Sequence, residues 1–341
     1  MSNNERQIAL DQFRGYTVIG MLLVNFLQNF QWINNHSPFL QHYQSYFSYA
    51  DAIMPQFFFA VGYSYRLTFL QYLKNWGWKA AGLKIIKRNF GLILLGCILY
   101  HLDGNFKTWQ NLQNLGWTGF IQTAFQREPF QTLVQIGVTA IWVLPVIAFR
   151  WPIRLIYTLL SLLLFFILSQ SFYYNWAMHR PVIDGGPLGF LSWTAAILIG
   201  AWTYDIIEEK KNPWFLPLSA LLLLLTGYLL PQIYPTSNIL NISQRAASIS
   251  YQLVGAGFSI FIFIIFYWTY QIKKIESNIL KTFGMNALAA YLLDGLVSEF
   301  ILPWAPTDSP FPHILLMGTI HFILCYSFLR GMEKQNLFLR F

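Results

Sequence analysis

The sequence predicts an all-α, polytopic integral membrane helix bundle of about ten transmembrane helices. Three observations lead there: composition, the recurrence of apolar runs, and the placement of basic residues. Of 341 residues, 55% are hydrophobic, 18% aromatic and only 11% charged. An ordinary soluble domain carries roughly 25% charged residues, so this chain lacks the charge to cover a surface exposed to water. Apolar runs recur from one end to the other with no soluble-looking block between them, which predicts a single membrane domain over 1–341.

A span needs about 20 mainly apolar residues to cross the hydrocarbon core. The windows that satisfy this are 15–33, 50–73, 88–103, 131–149, 154–173, 187–206, 214–232, 250–271, 281–302 and 313–331. Between the third and fourth, the stretch 104–130 sets Trp109, Leu112, Leu115 and Phe120 among Asn and Gln residues, as a segment lying in the interface plane would. The first apolar run is too long for a signal-peptide core and has no small-residue cleavage site, so it is expected to stay attached. Cys97 and Cys325 fall in apolar stretches without partner spacing. They read as small core residues, and neither a disulfide framework nor a thiolate metal site is expected.

Orientation follows from lysine and arginine, which concentrate in cytoplasmic loops. With the N-terminus inside, eighteen of the 22 basic residues fall on the cytoplasmic side, and only Lys107, Arg127, Arg180 and Arg245 fall outside. Both termini are therefore expected in the cytoplasm, most simply of a bacterial inner membrane. The same topology accounts for the net charge of +8. The basic residues form no continuous face, so membrane lipid is an expected partner and nucleic acid is not.

Polar residues inside apolar runs carry the functional signal. Asp11 and Arg14 are three apart, and Asn25 lies eleven beyond Arg14, almost three turns on, which predicts one polar seam about 16 Å long on the first span. Asp51 stands at the start of the second span, where a carboxylate caps free N–H groups. The loop before it carries His36 and His42, either of which can accept a proton near neutral pH. Outer loops also hold His179, Asp184, Asp308 and many Trp and Tyr residues, most of which an aromatic belt explains.

Leu10-Asp11-x-Phe13-Arg14-Gly15, then Met21 to Asn25, then Ala50-Asp51 to Pro55 with Phe57, Phe59 and Gly62 resemble the N-terminal signature of the heparan-α-glucosaminide N-acetyltransferase family and its bacterial relatives. Asp184-Gly185-Gly186-Pro187-Leu188-Gly189 and Phe283-Gly284-Met285-Asn286-Ala287-Leu288 are similar to two later landmarks of that family. The resemblance implies a transmembrane acyltransferase that takes an acetyl group from cytoplasmic acetyl-CoA to an amino-sugar, glycan or other acceptor on the outer side, without a metal. It places the family's catalytic asparagine at Asn25. Its catalytic histidine falls at His42, nine residues before Asp51, with His36 as the alternative. The family's His-x-x-Trp continuation is absent, since Tyr43, Gln44 and Ser45 follow His42.

In this reading Asn25 holds the thioester carbonyl or its oxyanion and His42 takes the acceptor's proton, while Asp51 or Asp184 orients the imidazole or binds the acceptor. Arg14, Lys84, Lys87 and Arg88 would meet the coenzyme's phosphates, and His36, Asp184 and Asn286 would contact the acceptor. A membrane transporter or flippase with a proton-coupled polar pathway is the competing class, and an assembly protein with a lost active site is a third. The sequence leaves oligomeric state open, a homodimer included.

Overall fold

The computed structural model describes residues 3–43, 46–100, 108–124, 129–180, 183–210, 212–235 and 237–339. Among these residues the chain is helical and contains no strand. α1 (Asn3–Leu27) is followed by a short α2 (Gln31–His36), α3 (Tyr49–Tyr100), α4 (Trp109–Ala124) and α5 (Thr132–Val143). α6 (Trp151–Leu168) runs through a π turn into α7 (Tyr174–Met178). α8 (Gly189–Asp205), α9 (Phe215–Ile233), α10 (Ile249–Lys273), α11 (Asn278–Met285), α12 (Ala287–Ile301) and α13 (Phe311–Lys334) complete the order.

Six helices are long and apolar enough to cross a membrane by length and composition: Trp151–Met178, Gly189–Glu208, Phe215–Ile233, Ile249–Lys273, Ala287–Trp304 and Phe311–Lys334. They fall on the six windows predicted after residue 150. One of those windows is corrected: 281–302 is not a single helix, because the backbone breaks at Asn286 and the apolar helix starts at Ala287. The Asn286 side chain donates to the Thr282 carbonyl at 2.9 Å, the kind of local bond that competes with helix continuation.

The four windows before residue 150 fall on α1, α3 and α5, which are helical but outside the six. Asp11, Arg14 and Asn25 on α1, and Asp51, Gln56 and Arg66 on α3, lower the hydropathy of these helices. α5 has only 12 residues because the chain turns from Leu144, next to Pro145, short of the predicted end at 149. Length and composition thus single out six helices where the sequence predicts about ten. The predicted interface stretch forms α4, which breaks at Gly116 and exposes Trp109 and Trp117. Lys107, Arg127, Lys211 and Arg340 lie outside the described residues.

α3 is two limbs, 49–76 and 78–100, joined at Gly77 with φ 74° and ψ 175°. In one continuous helix, Lys84 and Tyr72 would stand about 18 Å apart. Instead the Lys84 ammonium sits 4.3 Å from the ring centroids of both Tyr72 and Trp76, and Phe69 meets Trp78 edge-on at 5.2 Å. The second limb therefore folds back along the first. Gly77 has the positive φ that only glycine adopts without strain.

The first limb of α3 and α8 run side by side in the same direction. Phe58 stacks on Trp193 at 4.3 Å, Tyr63 meets Tyr204 at 5.4 Å, and Arg66 reaches Asp205 at 2.9 Å. The two helices touch through glycine: a Cβ on Gly62 would collide with the Ile197 carbonyl, and one on Gly200 with the Phe59 carbonyl. α1 and α11 repeat the arrangement with Gly15 against Leu280 and Gly284 against Asp11. Small residues at such crossings let backbones approach closely, which is how helices associate where lipid removes the hydrophobic drive.

α8 is the central element, with 78% of its apolar window buried, whereas α9 has 17%. α9 accordingly lines the outside, turning Leu221, Leu222 and Leu225 outward, as α6 does with Leu159, Leu160 and Leu163. Exposed apolar faces of this length are what hydrocarbon, not water, would cover.

Candidate functional site

The start of α3 builds the first polar centre. Ser48 and Asp51 form a reciprocal capping box, in which the Ser48 N–H donates to Asp51 Oδ2 and the Asp51 N–H donates to Ser48 Oγ, both at 3.1 Å. The other carboxylate oxygen, Oδ1, lies 2.9 Å from His42 Nδ1. An ionised carboxylate only accepts, so Nδ1 donates to it, and in the neutral imidazole Nε2 is left with the lone pair. Asp51 is buried, with a side chain 1% exposed, whereas the His42 ring is 28% exposed. Tyr251 Oη closes the back of the centre by donating to the Asp51 carbonyl at 2.8 Å.

The loop before α8 brings Asp184 to the same place. Its carboxylate is hydrogen-bonded by Gln244 and Thr132 and lies within charge range of His42 and Arg180. Burial pushes this carboxyl up to about 6, against the opposing pull of those hydrogen bonds and of His42 and Arg180. The loop is rigid: Trp193 Nε1 and Gln135 Nε2 each donate to the Asp184 carbonyl at 3.1 Å, and Gln135 Nε2 also donates to Gly186 O. Gly185 and Gly186 have φ of 81° and 69°. A Cβ on Gly186 would run into the Arg180 guanidinium and the Tyr173 hydroxyl. Of the predicted pair, Asp51 contacts His42 and Asp184 lies within charge range of it.

His36, the alternative base, is elsewhere. It is exposed, its Nδ1 lies 2.9 Å from its own helix's Trp32 carbonyl, and its ring stacks on Trp32 at 4.6 Å. A ring engaged with its own turn does not share the Asp51 carboxylate. Asn286 sits at the break between α11 and α12, buried, with Oδ1 lacking a hydrogen-bond partner.

At the far end of the bundle the predicted cofactor cations separate. Arg14 pairs with Asp11 at 3.4 Å, as the spacing predicts. Arg88 lies within charge range of Arg14 and of the Tyr65 and Tyr72 hydroxyls, brought there by the fold-back at Gly77. Lys84 is engaged over Tyr72 and Trp76, and Lys87 stands on an exposed face. Arg14 and Arg88 are thus the two that converge.

The predicted continuous seam on α1 is corrected. Val18 and Met21 occupy the stripe between Arg14 and Asn25, and both are buried in an apolar cluster with Phe283 and Cys325. Helical phase put Arg14 and Asn25 on one face, but side chains on that same face can still be apolar. Asn25 is exposed, and its Nδ2 donates to Asp294 Oδ2 at 2.8 Å. The other Asp294 oxygen lies 3.3 Å from His321 Nε2, which is also 3.1 Å from Ser298 Oγ.

Sequence reasoning missed Asp294, His321 and Ser298. The signal was available: an Asp and a Ser four apart in one apolar window, and a His in the middle of the next. It also missed the joining of Arg66, Arg154 and Asp205, having counted the two arginines only among the cytoplasmic charges. Both are buried on Asp205: Arg66 Nε donates to Oδ1 at 2.9 Å, Arg154 Nη2 donates to Oδ2, and Arg66 Nη1 reaches the Ile147 carbonyl at 2.6 Å. Among the described residues no group of three or more His, Cys, Asp or Glu side chains converges as a metal site.

Comparison with family models and with curated proteins gives no match.

Proposed function

We propose that this chain is a transmembrane acyltransferase, moving an acetyl or other acyl group from cytoplasmic acyl-CoA to an amine or hydroxyl on the outer side of the membrane. The observation that carries this reading is the contact between His42 Nδ1 and the buried Asp51 carboxylate at 2.9 Å. A histidine held by a carboxylate on one nitrogen and open on the other is built to take a proton. His42 Nε2 removes the acceptor's proton as the acceptor attacks the thioester carbon. The C–S bond breaks, the new C–N or C–O bond forms, and the thiolate leaves as thiol with the proton that His42 took from the acceptor, which restores the neutral imidazole. Asn25 polarises the carbonyl, and Asp184 binds the acceptor beside His42.

The topology belongs to the same proposal. α1, the two limbs of α3 and α5 join the six apolar helices as spans, making ten, with both termini in the cytoplasm of a bacterial inner membrane. Asp51, Gln56, Arg66, Asn89, Gln135 and Thr139 of those spans are buried in the bundle. The coenzyme's phosphates are placed at Arg14 and Arg88.

Reconstituted protein tests it. Given acetyl-CoA and glucosamine as probe acceptor, it should yield acetylated product by mass spectrometry and retain coenzyme A on native mass spectrometry. Absence of both would overturn the proposal. A proton-coupled transporter is the second reading, favoured by the ionisable Asp294 and His321 inside the apolar helices α12 and α13. Labelled solute crossing vesicles without any acyl donor would select it.

A further inference from the structure

Four side chains from three helices meet in the C-terminal part of the bundle, and of these only Asn25 has so far been given a task. Asn25 comes from α1, Asp294 and Ser298 from one face of α12, and His321 from α13. His321 is 1% exposed and Asp294 5%. Phe26, next to Asn25, stacks on the His321 ring at 4.6 Å, so the imidazole is clamped on its face as well as at its edge. A carboxylate and an imidazole inside apolar helices are expensive to keep there, and packing alone would be served by leucine.

The chemistry of the contacts fixes the orientation of Asn25. An ionised Asp294 only accepts, so the amide nitrogen of Asn25, not its oxygen, faces it. Asn25 then has Oδ1 and its second N–H turned away from the carboxylate, on a residue that is itself exposed between the buried Val24 and Phe26. Asp294 would itself rotate freely if it met only Asn25. His321 Nε2 flanks the other carboxylate oxygen at 3.3 Å, and its hydrogen bond goes to Ser298 Oγ, one turn along α12 from Asp294, at 3.1 Å.

We infer that Asp294 and His321 are positioning residues for Asn25: a buried carboxylate–imidazole pair that locks the asparagine amide so its free N–H points at the transferring acyl group. The inference rests on the acyl-transfer reading. It makes Asn25, Asp294 and His321 one functional unit, remote in sequence from the His42 centre, and it accounts for an acid and a base inside two apolar helices.

The experiment compares Asn25→Ala, Asp294→Leu and the double variant for acetyl transfer in the reconstituted full-length protein, with thermal unfolding alongside. Asp294→Leu removes the carboxylate and leaves His321 a neutral partner in Ser298, and the thermal unfolding shows what the larger side chain costs the fold. Its kcat should fall about 10²-fold, the scale of an ångström-sized misplacement, with KM for acetyl-CoA unchanged. The double variant should be no slower than Asn25→Ala, since residues acting as a unit are not additive. His321→Gln, able to donate to Asp294, should recover part of the activity that His321→Leu loses. A kcat for Asp294→Leu close to wild type while Asn25→Ala is impaired would overturn the inference and leave the acyl-transfer reading intact. So would losses that multiply in the double variant, or a rate that falls only in step with melting temperature. A wild-type protein that transfers nothing would overturn both.

Discussion

The two ends of the α3–α8 pair each hold a buried carboxylate facing a base or cation, yet they are built differently. Asp51 and Arg66 are fifteen residues apart on α3, about 22 Å along the helix. At the Asp205 end, two guanidinium groups enclose one carboxylate, a backbone carbonyl takes a further N–H, and all three side chains are at most 6% exposed. At the Asp51 end, the carboxylate is as deeply buried, but its partner is a histidine 28% exposed with one nitrogen unspent. A sealed cluster fixes helix against helix. A cluster left open on its proton-accepting atom can do chemistry.

The largest expected effect separates the two. His42→Ala should reduce acyl transfer by about 10²–10⁴, the usual cost of losing a general base, with the protein still folded and able to bind coenzyme A; His36→Ala should keep full activity. Equal losses from both would erase the distinction between the two histidines. Asp205→Ala should do the reverse, leaving two buried guanidiniums uncompensated and costing about 3–5 kcal/mol of stability, measured by denaturant unfolding in detergent. A stable Asp205→Ala protein would mean that the far end is not a structural clamp.

Asp184 sharpens the comparison through pH. Its carboxyl titrates at about 6 in the fold, against roughly 3.9 in an unfolded chain. Between those values the folded protein holds a proton that the unfolded chain has released. Its contribution to stability is therefore full below about pH 4, declines as pH rises to about 6, and is constant above. Asp184→Asn should abolish that decline in melting temperature measured across pH 4 to 7; a decline that persists assigns it to another group. Ser48→Ala should have the smallest effect, about 1 kcal/mol for the lost cap, and calorimetry should register it without a loss of the His42–Asp51 contact.

Ser48 and Tyr251, which bind Asp51 in the fold, were not singled out in the sequence. The pairing of Asp51 with His42 was legible because it is local: Asp51 stands at a helix start, and the family resemblance put the histidine at His42, nine residues before it. The six apolar helices after residue 150 were legible for the same reason, since twenty apolar residues in a row announce themselves. Contacts between distant segments were not. Nothing in the neighbourhood of Arg66 points to Asp205, 139 positions away, nor does anything around Asn25 point to Asp294, 269 away. The α1 seam failed for a different reason. Helical phase says which residues share a face, but the nature of the surface that face meets is a tertiary property, and here Val18 and Met21 meet Phe283 and Cys325. The count of ten spans depended on treating polar-bearing helices such as α3 as equal to leucine-rich ones such as α9.

The reversal at Gly77 takes a single residue, which leaves no slack between the limbs of α3. A loop of several residues would let one limb slide while the other stayed put; a one-residue turn does not. The first limb begins at the capping box under His42, and the second carries Arg88 back beside Arg14. Any axial shift of the first limb must therefore travel round the bend as a shift of the second. The Asp51 start of one limb and the Arg88 turn of the other are thus tied to each other through one residue.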